Sequence, residues 1–528
     1  MVTRVTMRNE GVPRWRAPAA IAAGALPALA FPAPALWWFA YVALAPWMLL
    51  LRSAPTGRRA ALEGWLGGAG FIVAVHHWLW PSLHVFLVPV AALLGLLWIP
   101  WALLVRELLG GVPSAGRALS ALVLVPAGWL LSELVRSWQG LGGPWGLLGA
   151  SQWQVPPALR LASVGGVWLV SLLVVAVNCA VVLLVAVPGA RIPAVAGMSG
   201  CAVLTAVVWV WAAVPAEYGR LRVAVVQPGP VADGPDGAER RFAVGERLTR
   251  PLAGQRVDLV VWGESSVGED LTARPDLARR LASLSAEVGA PLLVNVDARR
   301  ADRPGIYKSA VLVGPGGPTG DRYDKMRLVP FGEYVPARAL LGWATSVGKA
   351  AGEDRVPGTA PVVMDLPARA DGAGGAPGAV RIGPLVCFES AFPDMSRRLT
   401  RDGAALLIAQ SATSSFQESW APAQHASLAA LRAAENGRPM VHATLTGISV
   451  VHGPSGERIG AALPTSASAA AVYEVPLARG TTLYGRFGDW PVGAALAALA
   501  AYCAVAGVRS LRRPAPEPTS PPARTAGG

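Results

Sequence analysis

Charge is what this sequence has least of. Asp, Glu, Lys and Arg make up 15% of its 528 residues, while 53% are hydrophobic. A soluble chain carries about a quarter charged residues, so a wholly soluble protein is excluded and much of the chain belongs in lipid. Cysteine is scarce as well, with four residues. Cys179, Cys201 and Cys503 sit inside long apolar runs, which leaves Cys387 alone in a region of soluble composition. That distribution excludes a disulfide framework and leaves Cys387 without a second thiolate for a metal site. The sequence carries no sustained internal repeat and no metal or nucleotide motif, and no cofactor is expected. The net charge of +13 would suit a nucleic-acid partner. Many of the arginines, however, stand at the ends of apolar segments, where they mark a membrane protein instead.

Eight apolar runs cover residues 17–31, 36–51, 62–80, 84–105, 118–135, 164–187, 193–214 and 490–508. Several approach the roughly 20 residues a helix needs to cross a bilayer; the first two are short and would tilt or form a hairpin. Basic residues gather at alternate junctions. Arg4, Arg8, Arg14 and Arg16 precede the first run, followed by Arg52, Arg58 and Arg59, by Arg106 and Arg117, by Arg191, and last by Arg509, Arg512 and Arg513. The positive-inside rule therefore expects both termini in the cytoplasm and residues of about 215–489 outside it. Small residues near Ala30 and Ala33 would also suit a signal peptide, but cleavage there leaves the later topology unchanged. The expected layout is a basic tail at 1–16, seven membrane helices at 17–214, an extracytoplasmic domain at 215–488, a last helix at 489–510 and a disordered tail at 511–528. The Gly/Trp-rich connection 138–152 faces the extracytoplasmic domain. It reads either as an interfacial loop with Trp at headgroup level or as a surface that admits a lipid to the site. Glu133 is expected to pair with Arg136.

From Leu221 the pattern switches to alternating strand and helix. Apolar stretches at 221–226, 257–262, 291–296, 310–313, 362–366, 382–388, 404–408, 440–451 and 469–475 read as strands, the first two continuous enough to be buried on both faces. Helices fit 236–252, 275–288 and 421–435, and the Gly/Ala-rich stretch 371–378 fits a surface loop. The pattern predicts one α/β domain of about 260 residues with helices covering its sheets.

Three polar residues stand at strand ends or loops in this half. Glu264 follows the strand 257–262. Lys325 lies in Tyr323-Asp-Lys-Met-Arg-Leu-Val-Pro-Phe-Gly-Glu-Tyr-Val-Pro336, and Cys387 ends its own strand. Singly, each has an ordinary reading: a helix cap, a solvated loop charge, a small buried hydrophobe. Together they bring a base, a cation and a thiol to the carboxyl ends of strands, where α/β sheets place their sites. A thiol of pKa ~8.5 is only a few per cent thiolate at neutral pH, so a neighbouring carboxylate helps generate the nucleophile. A fixed ammonium can then stabilise the oxyanion formed by attack on a carbonyl. His425 lies in a helix pattern and His442 and His452 in strands, so a Cys-His protease is not expected.

Glu264, Lys325 and Cys387, in that order, resemble the Glu-Lys-Cys triad of the nitrilase superfamily. The phrase Tyr-x-Lys-x-x-Leu-Val-Pro-Phe-Gly-Glu-Tyr-Val-Pro is similar to one branch of it, the apolipoprotein N-acyltransferases. So are the loop ending Gly-Pro-Trp…Gly-Ala-Ser-Gln152, the eight-run arrangement, and Tyr484…Gly488-Asp489 before the last run. The resemblance covers nearly the whole chain. It implies an αββα nitrilase-like domain on a multi-pass helical domain of a bacterial plasma membrane. It also implies acyl transfer from a membrane phospholipid to the amino group of a diacylglyceryl-modified N-terminal cysteine on an apolipoprotein. In that reaction Glu264 is the general base, Lys325 the oxyanion stabiliser and Cys387 the nucleophile carrying a thioester. Glu333 and Glu389 are implied as supporting carboxylates that hold Lys325 and share protons. The implied partners are the phospholipid donor and the diacylated acceptor, and a monomer is expected. The sequence departs from the family pattern at three places: Ala412-Thr-Ser-Ser-Phe416 replaces an Asn-Asp-Ala-Trp-Phe-like segment, Ala443-Thr-Leu-Thr-Gly447 an Ala-Thr-Asn-x-Gly, and Gly263 a Pro. The alternatives are a membrane-tethered amidase with water as acceptor and a non-catalytic membrane partner of a glycosyltransferase. Eight runs favour a lipid substrate over a soluble amide, and the intact triad disfavours the non-catalytic reading.

Overall fold

A computed structural model describes residues 13–231, 236–343, 351–367 and 379–511. Arg4, Arg8, the 371–378 loop and the tail beyond 511 lie outside these residues. All eight apolar runs are helical, in the stretches Arg16–Ala30, Trp37–Arg52, Gly57–Leu109, Ala115–Arg136, Pro156–Ala186, Pro188–Trp211 and Trp490–Arg509. Five of these are long and apolar enough to cross a membrane. At 1.5 Å per residue, the 53 residues of Gly57–Leu109 would extend about 80 Å against a bilayer core of about 30 Å. The chain instead doubles back within it, around His84 with its φ of +47°, so that Trp65 Nε1 donates to Ala92 O. That stretch accounts for two of the runs. Thr56 and Ser114 mark helix starts by local chemistry: each side chain accepts from the backbone N–H three residues on, a donor the first turn leaves free.

The helix read at 164–187 begins earlier, at Pro156, and is interrupted at Gly165 and Gly166. Gly166 has φ +66°, and a Cβ there would lie 2.6 Å from the Tyr484 ring. Conformation and contact both require glycine. Trp47, Trp98, Trp101 and Trp129 fill the centre of this half, ring centroids 4.9 to 6.2 Å apart and edge to face. Arg52, Arg106 and Arg117 share one end of the helices. Arg52 donates to Leu109 O, Arg106 to Ala54 O and Arg117 to Leu108 O. The expected Glu133–Arg136 pair does not form. Glu133 accepts from Trp129 Nε1 at 2.9 Å and Leu148 N at 2.6 Å, and Arg136 donates to Trp145 O. A buried carboxylate must be hydrogen-bonded, and the backbone of connection 138–152 meets that need first.

Among the described residues, twelve strands form two six-stranded sheets. They are β1 Ala216–Gln227, β2 Leu259–Trp262, β3 Leu292–Arg299, β4 Ile306–Gly314, β5 Gly317–Asp324, β6 Met364–Leu366, β7 Val380–Val386, β8 Leu406–Ser411, β9 Met440–Thr444, β10 Ser449–His452, β11 Arg458–Leu463 and β12 Ala469–Arg479. One sheet runs β12-β1-β2-β3-β4-β5 and the other β11-β10-β9-β8-β7-β6. Each has a parallel centre, β1-β2-β3 and β7-β8-β9, that carries its strand ends to the same side. Val223, Val225, Leu259 and Val261 of the first sheet meet Ile382, Val386, Leu406 and Ile408 of the second in one buried cluster. The next residue along each strand faces outward. In the first sheet these positions, among them Val260 and Trp262, pack with the helices Gly237–Thr249 and Pro275–Val288. In the second, Leu385, Leu407 and Ala409 pack with the helices Pro393–Arg401 and Ala421–Asn436. The layers are therefore αββα. The outer cluster of the second sheet continues without a break into the apolar helices, so the sandwich rests on the membrane half through one helix layer.

Candidate active site

Glu264, Lys325 and Cys387 each follow directly on a strand, and the sandwich brings all three to one edge. Glu264 comes after β2, across Gly263. A Cβ on Gly263 would lie 1.9 Å from Leu445 N, so only glycine lets these backbones meet. Glu264 N and Leu445 N both donate to Ser411 O, at 3.2 and 2.9 Å. Lys325 follows β5 and is fixed by its own backbone, its N–H donating to Lys308 O and its carbonyl accepting from Gly358 N, both at 2.8 Å. Cys387 follows β7 with φ +49°, a left-handed conformation that costs a non-glycine residue on the order of 1–3 kcal/mol. Its thiol lies 3.9 Å from Ala412 O. Gly263, Ala412 and Leu445, the departures from the resemblance, thus stand around the base and the thiol.

Glu389 holds the strained turn in place. It accepts from Val386 N at 2.8 Å, Met326 N at 2.7 Å, Arg327 N at 3.1 Å and Tyr323 Oη at 2.6 Å. One buried carboxylate therefore ties the turn bearing Cys387 to the loop bearing Lys325, through the backbone of that loop and not through the ammonium. Glu333 does hold the ammonium: Lys325 Nζ donates to its Oε1 at 2.7 Å, and Val329 N donates to its Oε2 at 2.8 Å. Lys325 Nζ is also 3.3 Å from Glu264 Oε1.

A fourth charge, unread in the sequence, completes the site. Lys308 Nζ of β4 lies 2.8 Å from Glu264 Oε1, 3.1 Å from Glu333 Oε1 and 3.6 Å from Asp297 Oδ2. Asp297 is held in turn by Ser265 Oγ and Arg355. The available signal was phase. Lys308 shares its face with Ala310 and Leu312, which point between the sheets, and a lysine in step with inward apolar positions marks a paired buried charge.

The electrostatics follow from this packing. Burial alone would raise the Glu264 carboxyl, but Lys308 and Lys325 outweigh it and hold it at about 2. Burial works against both ammonium groups, and the carboxylates outweigh it, lifting Lys325 and Lys308 above the ordinary lysine range. Burial pushes the Cys387 thiol up to about 12, with Glu264 adding to the rise and Lys325 opposing it. The resting site is a neutral thiol beside a carboxylate, framed by ammonium groups. His425 does not serve the thiol. Its Nε2 lies 3.1 Å from Cys387 O and 2.9 Å from Ser390 Oγ, and burial lowers it to about 4.

The site faces the membrane half. Trp145, in connection 138–152, packs 5.3 Å from the His425 ring and 5.5 Å from Trp78, which is 5.1 Å from Phe416. A Cβ on Gly143 would strike Phe388 and Phe392 beside the nucleophile.

Residues 23–180 match the apolipoprotein N-acyltransferase N-terminal domain, and residues 222–483 match the carbon-nitrogen hydrolase domain. An apolipoprotein N-acyltransferase of Geobacter metallireducens is 30% identical over 517 residues, covering 94% of this chain and 96% of that one. Its counterpart in Azotobacter vinelandii is 33% identical over 511 residues, covering 90% and 92%. The chain belongs to the apolipoprotein N-acyltransferase family. Apolipoprotein N-acyltransferases are membrane-associated enzymes of the nitrilase superfamily, and their reaction is acyl transfer to the N-terminus of lipoproteins. Among solved structures, an amidase from Nesterenkonia sp. aligns at 21% identity and TM-score 0.34, over 50% of this chain and 93% of that one.

Proposed function

We propose that this chain moves a fatty acyl chain from a membrane phospholipid, through a thioester on Cys387, to the α-amino group of a diacylglyceryl-modified N-terminal cysteine. One observation carries the reading. The thiol, with its carboxylate and ammonium neighbours, lies where the sandwich meets the apolar helices, under Trp78 and Trp145, which suits substrates delivered from a lipid surface. Residues 17–214 and 489–510 form the membrane part and 215–488 the catalytic domain. The basic ends of the helices lie away from the sandwich, which supports cytoplasmic termini and an extracytoplasmic site.

The chemistry proceeds in two balanced halves. As the Cys387 sulfur bonds to the ester carbonyl carbon, its proton passes to Glu264 and the negative charge settles on the carbonyl oxygen beside Lys325. Collapse breaks the ester C–O bond, and the lysophospholipid alkoxide leaves with the proton from Glu264. The acceptor amine then attacks the thioester carbon, gives a proton to Glu264, and the departing thiolate recovers it. A covalent intermediate lets one bulky lipid leave before the other arrives, so the kinetics are ping-pong.

The test uses purified full-length protein in phospholipid vesicles. Lipid alone is expected to give an acylated enzyme cleaved by neutral hydroxylamine and absent in Cys387→Ala, and a diacylated lipopeptide should discharge it to an amide. Discharge to water alone would make the protein a hydrolase.

A further inference from the structure

We propose that Lys308 is a positioning residue of the acyl transfer: it closes a ring of two ammonium and two carboxylate groups that aims Glu264 at the thiol and frees a proton of Lys325 for the oxyanion. The proposal rests on the two-step reading above and concerns how the base and the cation are held. The ring is closed on all four sides. Glu264 Oε1 and Glu333 Oε1 each face both ammonium groups, at 2.8 and 3.3 Å for the first and 3.1 and 2.7 Å for the second. An ammonium has three donors. Lys325 gives two to the ring and keeps one. Lys308 gives two to the ring and turns toward Asp297, 3.6 Å away, which Arg355 and Ser265 hold from behind. Both lysines hold Oε1 of Glu264, and Cys387 stands beside the same carboxylate.

Composition points the same way. Of the 46 Lys and Arg residues only three are lysines, at 308, 325 and 349. Elsewhere this chain carries positive charge on arginine; two of its three lysines face each other across this ring. A compact tetrahedral donor reaches two carboxylate oxygens and a third partner, whereas the planar guanidinium fork does not.

The groups facing Glu264 are Lys308 of β4, Lys325 after β5, Glu333, Cys387 and His425 of the helix Ala421–Asn436, with Asp297 and Arg355 behind Lys308. Removing Lys308 deletes one cation from that set, so the Glu264 carboxyl rises and its protonated form, which cannot accept the thiol proton, is reached at higher pH than in wild type. The experiment measures the rate of hydroxylamine-labile acylation of Cys387, without lipopeptide, in vesicles of phosphatidylethanolamine and phosphatidylglycerol from pH 5 to 9. Wild type should show no acidic limb from Glu264. Lys308→Gln should be on the order of tenfold to a hundredfold slower at pH 7 and should lose further rate as pH falls. Lys308→Arg keeps the charge and should lose rate without acquiring the acidic limb. Asp297→Asn removes a negative charge and should add no such limb either. A Lys308→Gln profile that parallels wild type overturns the proposal. Should that variant fail to assemble, as read by thermal unfolding, Lys308→Arg decides: a wild-type rate overturns the proposal and a reduced one supports it. Acylation that persists in Cys387→Ala would instead sink the nucleophile assignment, and the variants at Lys308 leave that outcome untouched.

Discussion

At the scale of single residues, the site divides charge from shape. Lys325 is 1% exposed and gives two of its donors to Glu264 and Glu333. Lys325→Arg keeps the charge but puts a planar fork where a tetrahedral donor must face two oxygens and a developing oxyanion. Turnover is expected to fall on the order of a hundred- to a thousandfold, the usual cost of one lost oxyanion donor. Near-normal turnover at equal protein level would remove Lys325 from the mechanism. Glu264 and Cys387 were legible in the sequence because they come after apolar strands in a soluble half poor in cysteine, and Lys325 because of the phrase Tyr323–Pro336 around it. Lys308 was not, because it lies ahead of the apolar stretch 310–313; pairing with β3 extends β4 back over it and turns its face inward. Glu389 was legible as a neighbour of Cys387. Its task was not, since Val386, Met326 and Arg327 donate from the backbone, which a sequence pattern does not aim.

At the scale of elements, the sandwich does more than rest on the helices. Val167 begins the second half of the Pro156–Ala186 helix, just past the break at Gly166, and its N–H donates to Glu435 Oε1 at 2.8 Å. A residue of the α/β domain therefore caps a helix of the membrane half. Trp490 Nε1 reaches Val164 O across the same break, and Trp168 Nε1 and Tyr484 Oη both donate to Asp489. Burial raises the Glu435 carboxyl to about 7, while Arg432 and the Val167 N–H oppose the rise. The neutral carboxyl is favoured in the folded protein, so its contribution is full below the unfolded carboxylate range and is lost as pH climbs through about 7. The loss is on the order of 3 kcal/mol. Glu435→Gln keeps an oxygen for Val167 and cannot ionise. Its Tm is expected to hold between pH 6 and 8.5 where that of wild type declines; parallel curves would refute the account. The interruption was invisible in the sequence, where Gly165-Gly166 passes for two small residues in an apolar run. The unread strands have a related cause. β5 and β11 are edge strands, and edges carry the polar, glycine-containing sequences that discourage pairing between chains. The helix Pro393–Arg401 was hidden by its length and polarity.

At the scale of the whole molecule, one face of the helices gathers arginine and the other carries the sandwich. Arg16 pairs with Glu63 at 2.6 Å, and Arg59 pairs with the same carboxylate. Arg52, Arg106 and Arg117 grip the carbonyls of neighbouring turns on the same side. Tyr502, far along the last helix from Trp490, donates to Glu107 there. At the opposite ends, Trp78 donates to Gln424 and Trp490 to Val164 O, where the helices meet the α/β domain. A membrane between these two faces must choose which one meets the cytoplasm. Moving these arginines to the outer side is resisted during insertion, whereas a long domain is translocated largely regardless of its charge. The arginine face is therefore expected inside and the active site outside, where a lipoprotein N-terminus arrives after export. Introduced cysteines check this in a background of Cys201→Ala, Cys387→Ala and Cys503→Ala, which keeps only the buried Cys179. Gly316 lies in the exposed turn between β4 and β5, and Gly116 opens the helix Ala115–Arg136 on the arginine face; neither has space occupied around it. A membrane-impermeant maleimide added to intact spheroplasts should label Gly316→Cys and leave Gly116→Cys unmodified until the cells are lysed. The reverse pattern would put the thioester in the cytoplasm. The helices, the site and the family would then remain as described, but exported lipoproteins could no longer be the acceptors.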